Sequence, residues 1–210
     1  MSDFPAIPKT SGKIAAIILA AGASTRLGEP KQLIRLGSKT LLERAVRIAL
    51  DAGCYPVVVV LGADAERVRA GCDLGEAALA ANDAWLEGMA SSIRTGLATV
   101  QSTLQEIGAE PQTAGVVLMT CDQPAVNADH LRSLAASGEI TASEYSGRRG
   151  VPAYFPASSF ASLTQLSGDS GARDLLHTAR SIPLALGELD IDTPEALAEA
   201  RRLFGGAPNI

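Results

Sequence analysis

The sequence predicts a single α/β domain built on a mostly parallel central sheet, and three observations point there. Strand and helix signals alternate from Ile14 onward, the pattern of a parallel sheet covered by helices on both faces. At 210 residues, with 47% hydrophobic but only 4% aromatic content, the chain can fill one core, and aliphatic strands must do the filling. A loop of small residues and cations follows the first apolar run directly, where an open α/β sheet binds its ligands. No internal repeat or second composition regime divides the chain.

Residues 1–13 are polar, contain Pro5 and Pro8, and are expected to form a mobile tail ahead of a domain over 14–210. No apolar stretch in that tail suits a signal peptide or an anchor. Ile14–Ala20 is a continuous apolar run, as a strand buried on both faces should be. Leu41, Leu42, Ala45, Val46 and Ala49 share one helical stripe that Gly53 can end, and 56–61 is the next buried strand. A helix over 64–70, a weak strand over 77–81 and a helix over 89–101 follow, the last with Ile93, Leu97 and Val100 inward. Residues 101–114 lack a clear period and are read as containing a surface loop.

Gly115–Thr120 is again apolar and delivers Cys121-Asp122-Gln123-Pro124 to the same sheet edge as the first loop, with Asn127 as a helix cap. Extended segments over 139–145 and 151–155 flank a turn at 146–150. Residues 182–191 are expected to close the sheet, and Thr193 then caps a last helix with Pro194 at its first position.

The net charge of −5 argues against nucleic-acid and anionic-membrane surfaces, which need a broad basic field. Cys54, Cys72 and Cys121 are too few and too irregular for a disulfide framework or a zinc site, so a reduced, cytoplasmic setting is expected. Against the acidic background Arg26, Lys31, Arg35, Lys39, Arg44 and Arg47 crowd together, and Arg26 and Lys31 fall on the loop. There Gly22 and Gly28 allow the backbone to bend around a ligand, and the two cations suit phosphate oxygens. A Walker-type loop is excluded because five residues, not four, separate the glycines and the lysine comes three positions later. The dinucleotide fingerprint fails too, since Gly22-Ala23-Ser24 lacks its second glycine.

Asp122 stands at the end of an aliphatic strand, where a carboxylate is costly unless it faces solvent or a cation, so it is a Mg²⁺ candidate. Strand alternation would send Asp190 and Asp192 to one face and Ile191 to the other. His130 and His177 lie on expected helices without a spaced partner.

The stretch from Leu19 to Lys31 resembles the signature Leu-Ala-x-Gly-x-Ser-x-Arg-Met-Gly-x-x-Lys of the MobA-like nucleotidyltransferases, with Leu27 in place of methionine. Asp122-Gln123-Pro124, the Asn82 to Gly96 segment and Asp190-Ile191-Asp192-Thr193-Pro194 match further family segments in order. The resemblance implies a three-layer, Rossmann-like nucleotidyltransferase fold. It implies that Leu19, Ala20, Ala21, Gly22, Ser24, Arg26, Lys31, Asn82, Gly88, Ser91, Ser92 and Asp122 bind the nucleotide, and that Arg26, Lys31 and Asp122 act in catalysis. Trp85 is either a ligand contact or a packing anchor. Asp122 and Asp190 would hold Mg²⁺, with Mn²⁺ as the alternative, while Asp192 orients the turn before the helix. Arg149 and Arg173, with Arg148 nearby, would hold an anionic acceptor.

Within that family the reading Leu19-Ala20-Ala21-Gly22 resembles the cytidylyl branch. The implied reaction moves CMP from CTP to the terminal phosphate of molybdopterin or molybdenum cofactor and releases pyrophosphate. A transient contact with a molybdoenzyme or its chaperone would follow. The open alternatives are GTP as donor, a sugar phosphate or methylerythritol phosphate as acceptor, and a non-catalytic delivery protein.

Overall fold

The computed structural model describes residues 12–106, 113–169 and 171–205. Nine strands and seven helices follow one another as β1 (Ile14–Ala20), β2 (Arg35–Leu36), β3 (Lys39–Thr40), α1 (Leu41–Asp51), β4 (Val57–Leu61), α2 (Ala65–Gly71), β5 (Ala78–Ala81), α3 (Met89–Glu106), β6 (Gly115–Thr120), α4 (Ala128–Ala135), β7 (Thr141–Tyr145), β8 (Arg148–Pro156), α5 (Phe160–Thr164), α6 (Arg173–Leu176), β9 (Arg180–Pro183) and α7 (Pro194–Phe204) among the described residues. Seven strands form one sheet in the order β5-β4-β1-β6-β8-β7-β9, and β2 and β3 form a separate small hairpin. Strand β8 runs against both its neighbours, while the other pairings in the large sheet are parallel.

Strand alternation splits the core in two. Ala16, Ile18, Val57, Val59 and Met119 face α1 and α4, meeting Leu42, Val46, Leu131 and Leu134. Ile17, Val58, Val60 and Leu118 face the other way, onto Ile93, Leu97 and Val100 of α3. A third cluster of Ile34, Leu36, Leu41, Ile191 and Ala200 seats α7 beside the small hairpin, and Leu27 of the cation-bearing loop packs on it. Because β4 lies on one side of β1 and β6 on the other, the strand order reverses at β1. A crevice therefore opens at the carboxyl ends of β1 and β6, the place where such sheets bind ligands.

Both of these inner strands match their expected limits, and so do the caps. Thr193 accepts from the Ala196 N–H, and Asn127 accepts from the His130 N–H. Three expectations change. The strand that closes the sheet, β9, starts earlier than expected and takes in only Ile182 and Pro183 of residues 182–191; the remainder runs without strand structure because Leu184 and Ile191 are drawn into separate packing clusters. The turn after β7 is only Ser146-Gly147, both at positive φ (49° and 70°), so Arg148 and Arg149 lie on β8 instead. Helix α3 runs on to Glu106, past the limit expected for it. Of the expected tail, Lys13 is already ordered against the Tyr55 ring, 4.3 Å from its centroid; residues 1–11 lie outside the described residues.

Helix α3 approaches the sheet through Gly96, where an added Cβ would lie 2.5 Å from Ile17 Cγ2 and 3.0 Å from Val60 Cγ2. Overpacking of this kind costs about 1–3 kcal/mol. Gly96→Val is therefore expected to lower stability by that order in a urea titration. An unchanged midpoint would show that α3 can shift away from the sheet without penalty.

Candidate functional site

Three distant segments meet at the crevice. The first is the loop after β1, which turns tightly as Leu27 N–H donates to the Ser24 carbonyl (3.1 Å), with Ser24 at φ +52° and Gly28 at φ +73°. Ser24 Oγ accepts from the Lys31 N–H at 3.0 Å, fixing where the lysine leaves the loop. The second is the end of β6, carrying Asp122. The third is 190–192, tied to the second because the Ile191 N–H donates to the Asp122 carbonyl at 2.9 Å.

The Lys31 ammonium joins all three. It donates to Asp122 Oδ2 and, at 2.7 Å, to Asp192 Oδ1, while Arg26 holds Asp192 Oδ2 at 2.8 Å. Burial disfavours the Lys31 charge, but the Asp122 and Asp192 carboxylates outweigh it and raise its pKa well above the ordinary lysine value. Burial likewise opposes the Asp192 anion, yet Lys31 and Arg26 hold its carboxyl below the usual range. At Asp190 the balance goes the other way: burial, then repulsion from Asp122 and Asp192, outweighs the pull of Lys31 and Arg148 and pushes its carboxyl up to about 6.

Asp192 therefore serves the loop cations, and not the turn that the sequence assigned to it, since Thr193 alone does the capping. No strand runs through 190–192; the side chains of Asp190 and Asp192 reach the cleft from a turn while Ile191 is fully buried.

The cleft has a volume of about 1230 Å³, more than one nucleotide fills. Leu19, Ala20, Ala21, Gly22, Lys31, Trp85, Gly88, Ser92, Asp122 and Asp190 line it, together with Tyr145, Arg148, Arg149, Arg173 and His177. Trp85 is half-buried over Gly62, where an added Cβ would lie 2.7 Å from Trp85 Cβ and 2.8 Å from Ala21 Cβ. Trp85 thus both packs and faces the cleft. Asn82 is turned inward: its amide donates to Ser91 Oγ (2.8 Å) and Ser92 Oγ (2.9 Å), and its oxygen accepts from the Ala84 N–H (3.1 Å). Ser91 donates inward as well, so of these three polar side chains Ser92 is the one on the cleft wall. Gly88, at φ +103°, is needed for packing, because a Cβ there would collide with Gly168 and Asp169.

Arg149 donates to the His177 carbonyl, and Arg148 stands 5.6 Å from the Tyr145 ring centroid. His130 is bound to Ser143 Oγ at 2.8 Å, remote from the cleft wall. Sequence reasoning missed Gln32 and Gln123. Gln123 is buried and donates to the Gly187 carbonyl at 3.1 Å; Gln32 is buried under the loop. A polar residue adjoining each motif was the only available signal.

No cluster of three or more His, Cys, Asp or Glu among the described residues forms a metal cage. Mg²⁺ and Mn²⁺ at nucleotide sites need only one or two carboxylates, and Asp122 Oδ1 is buried with no partner. With Asp190 crowded by two further carboxylates, this donor set fits a divalent cation.

A crevice at the switch point of a mostly parallel sheet, walled by a cationic loop and three carboxylates of which Asp122 is buried, defines a nucleotide-handling α/β protein. The chain belongs to the MobA-like NTP transferase family, whose domain matches residues 16–183. It is 33% identical over 175 residues to nicotine blue oxidoreductase of Paenarthrobacter nicotinovorans, covering 78% of this chain and 81% of that protein. It is also 30% identical to the purine catabolism protein PucB of Bacillus subtilis over 207 residues, covering 89% and 95% respectively. Rv0371c from Mycobacterium tuberculosis H37Rv superposes with a TM-score of 0.78 at 31% identity, over 91% of this chain and 98% of that one. The same mycobacterial protein has been solved in complex with manganese, at a TM-score of 0.72 and 29% identity over 90% and 98% of the two chains.

The crowding of Asp190 has a measurable consequence. Its folded pKa of about 6 exceeds the ordinary 3.8, so its contribution to stability is full below pH 3.8 and is lost as pH rises through about 6. Asp190→Asn removes the charge that folding disfavours. In metal-free buffer the variant is expected to melt above the parent chain at pH 7.5 and to lose that advantage at pH 4. A variant that melts lower at pH 7.5 would show that Asp190 is stabilised in the fold.

Proposed function

We propose that this protein is a cytidylyltransferase that moves CMP from CTP to the terminal phosphate of a molybdopterin-type cofactor and releases pyrophosphate. One observation carries the reading: the Lys31 ammonium lies between Asp122 and Asp192 at the mouth of the switch-point crevice, under a loop that also presents Arg26. In ligand binding the triphosphate takes over these cations, with Lys31 and Arg26 passing from carboxylate to phosphate oxygens. Asp122 and Asp190 would hold a divalent ion, Mg²⁺ or Mn²⁺, which when bound neutralises charge on the phosphates. Ala21 and Trp85 flank the base and Ser92 offers it a hydroxyl.

Arg148, Arg149 and Arg173, which also line the cleft, orient an anionic acceptor, whose phosphate oxygen attacks the α-phosphorus in line with the leaving pyrophosphate. That oxygen is already anionic, so alignment and charge neutralisation suffice and no general base is needed. A molybdopterin acceptor is supported by the MobA-like family and by the room left beside a nucleotide. A cytoplasmic location, with hand-over to a molybdoenzyme or its chaperone, accords with this. No helix among the described residues is long and apolar enough to cross a membrane.

A second reading has its own observation, since the relative at 33% identity is named an oxidoreductase. The deciding experiment is a pyrophosphate-release screen of four triphosphates against molybdopterin, with and without molybdenum, run beside a parallel assay for NADH and NADPH oxidation. Pyrophosphate release dependent on the pterin supports transfer; nicotinamide oxidation without it supports the oxidoreductase.

Removing either loop cation should weaken triphosphate use, and Lys31→Ala should also lower stability because it leaves the buried Asp122 carboxylate uncompensated. A charge-assisted contact is worth about 1.5–3 kcal/mol, so Lys31→Ala is expected to lower kcat/KM for CTP by roughly ten- to a hundredfold. Arg26→Ala should cost less, because the Arg26 side chain is 69% exposed. Equal kinetic constants in both variants and the parent chain would remove the phosphate role.

Base choice is expected to rest on Ala21, which lines the cleft and whose methyl group, like Trp85, lies beside Gly62 and narrows the slot for a purine. One methyl group is worth about 1–3 kcal/mol, hence a preference of roughly ten- to two-hundredfold for CTP over GTP in kcat/KM. Ala21→Gly should relax the preference without reversing it. Equal use of the two nucleotides by the parent chain would sink the cytidylyl assignment and leave nucleotidyl transfer standing.

A further inference from the structure

Gln32 makes hydrogen bonds that the nucleotide reading has not used. It is 1% exposed and follows Lys31 directly, in the short 3-10 turn Lys31–Leu33. Its Nε2 donates to the carbonyls of Ala20 at 2.7 Å and Gly22 at 3.2 Å, so both amide hydrogens are committed to the loop after β1. Its Oε1 meets no partner. Turning the amide over would set that oxygen against two carbonyl oxygens, so the loop fixes its orientation. The fold leaves a buried acceptor unpaired in order to hold those two carbonyls, which is a costly arrangement for a residue that only fills space.

A trans peptide sets its C=O and its N–H on opposite sides. The Ala20–Ala21 and Gly22–Ala23 bonds are both trans. Pinning the carbonyls of Ala20 and Gly22 therefore turns the N–H groups of Ala21 and Ala23 away from Gln32. Neither N–H donates to a protein acceptor among the described residues, and Ala21 and Gly22 line the cleft. Successive backbone amides left free in a bent segment form an anion-binding concavity.

We propose that Gln32 is a positioning residue: through the carbonyls of Ala20 and Gly22 it aims the amides of Ala21 and Ala23 at a phosphate group of the bound nucleotide. The inference rests on the nucleotide reading of the cleft and adds the device that pre-organises it. Amide donors held in place before the ligand arrives avoid reordering the loop on binding, so the gain falls on phosphate recognition and spares the base.

Gln32→Leu keeps much of the volume and removes both donors. Calorimetric titration with inorganic pyrophosphate, with CTP and with cytidine separates a phosphate effect from a general one. Pyrophosphate and CTP are expected to bind roughly tenfold more weakly to the variant, with cytidine changed by less than about twofold. Unchanged pyrophosphate affinity, or a proportional loss of cytidine, overturns the proposal. A second measurement uses the parent chain and does not depend on the variant folding. On titration with pyrophosphate, the backbone ¹⁵N–¹H resonances of Ala21 and Ala23 are expected to shift more than those of their neighbours. Pyrophosphate binding that leaves both resonances in place overturns the proposal while the nucleotide reading stands. A parent chain that binds neither pyrophosphate nor any triphosphate overturns both.

Discussion

The Lys31 ammonium, held between Asp122 and Asp192, is the interaction on which the site depends. Asp122 is buried at the end of a central strand, where an uncompensated carboxylate would be expensive. Lys31 supplies the compensation from the loop after β1, and Asp192 shares it from a segment far along the chain. One cation thus fastens three stretches of sequence together across the carboxyl edge of the sheet. Under the proposed function the bond is a holding arrangement, because the same ammonium would be a donor to the triphosphate.

The rest of the fold serves to bring those stretches together. Reversal of strand order at β1 opens the crevice, and the Ile191 N–H bond to the Asp122 carbonyl brings the third segment to it. The small cluster around Ile191 and Ala200 anchors α7, while Leu27 of the loop packs on the same cluster. The chain's last helix and its first loop therefore share one support, and the acid–base chain from Arg26 through Asp192 and Lys31 to Asp122 runs over it. The carboxylates outnumber the cations that touch them, and the surplus falls on Asp190. Under the proposed function that imbalance would be relieved when a divalent ion binds and Lys31 passes to phosphate.

Much of this was legible in the sequence, for physical reasons. Strands β1 and β6 are apolar runs, the first set between Lys13 and a glycine-bearing loop and the second leading into Thr120 and Asp122, so their limits and the residues just beyond them could be read directly. Thr193 and Asn127 announce helix starts through the hydrogen bonds their side chains make. Asp122 stood out because a carboxylate after an aliphatic strand demands a partner, although nothing local says that the partner is Lys31. Residues 182–191 misled because the segment is rich in apolar residues, but Ile182 and Leu184 pack in one cluster while Leu189 and Ile191 pack in another. Asn82 and Ser91 looked like base contacts and proved to satisfy one another, since a short polar cluster before a helix serves equally well to tie down a loop. Gln32 was invisible for the opposite reason: an amide beside a motif lysine gives no sequence sign of being buried.

The measurement that tests the central claim most directly is a crystal structure of the protein with Mn²⁺ and a non-hydrolysable CTP analogue. The account predicts an anomalous manganese peak on Asp122, with Lys31 Nζ withdrawn from Asp122 and Asp192 and bonded to phosphate oxygens. A nucleotide seated in the cleft with Lys31 still spanning both aspartates, or a nucleotide bound away from the β1–β6 crevice, would contradict it.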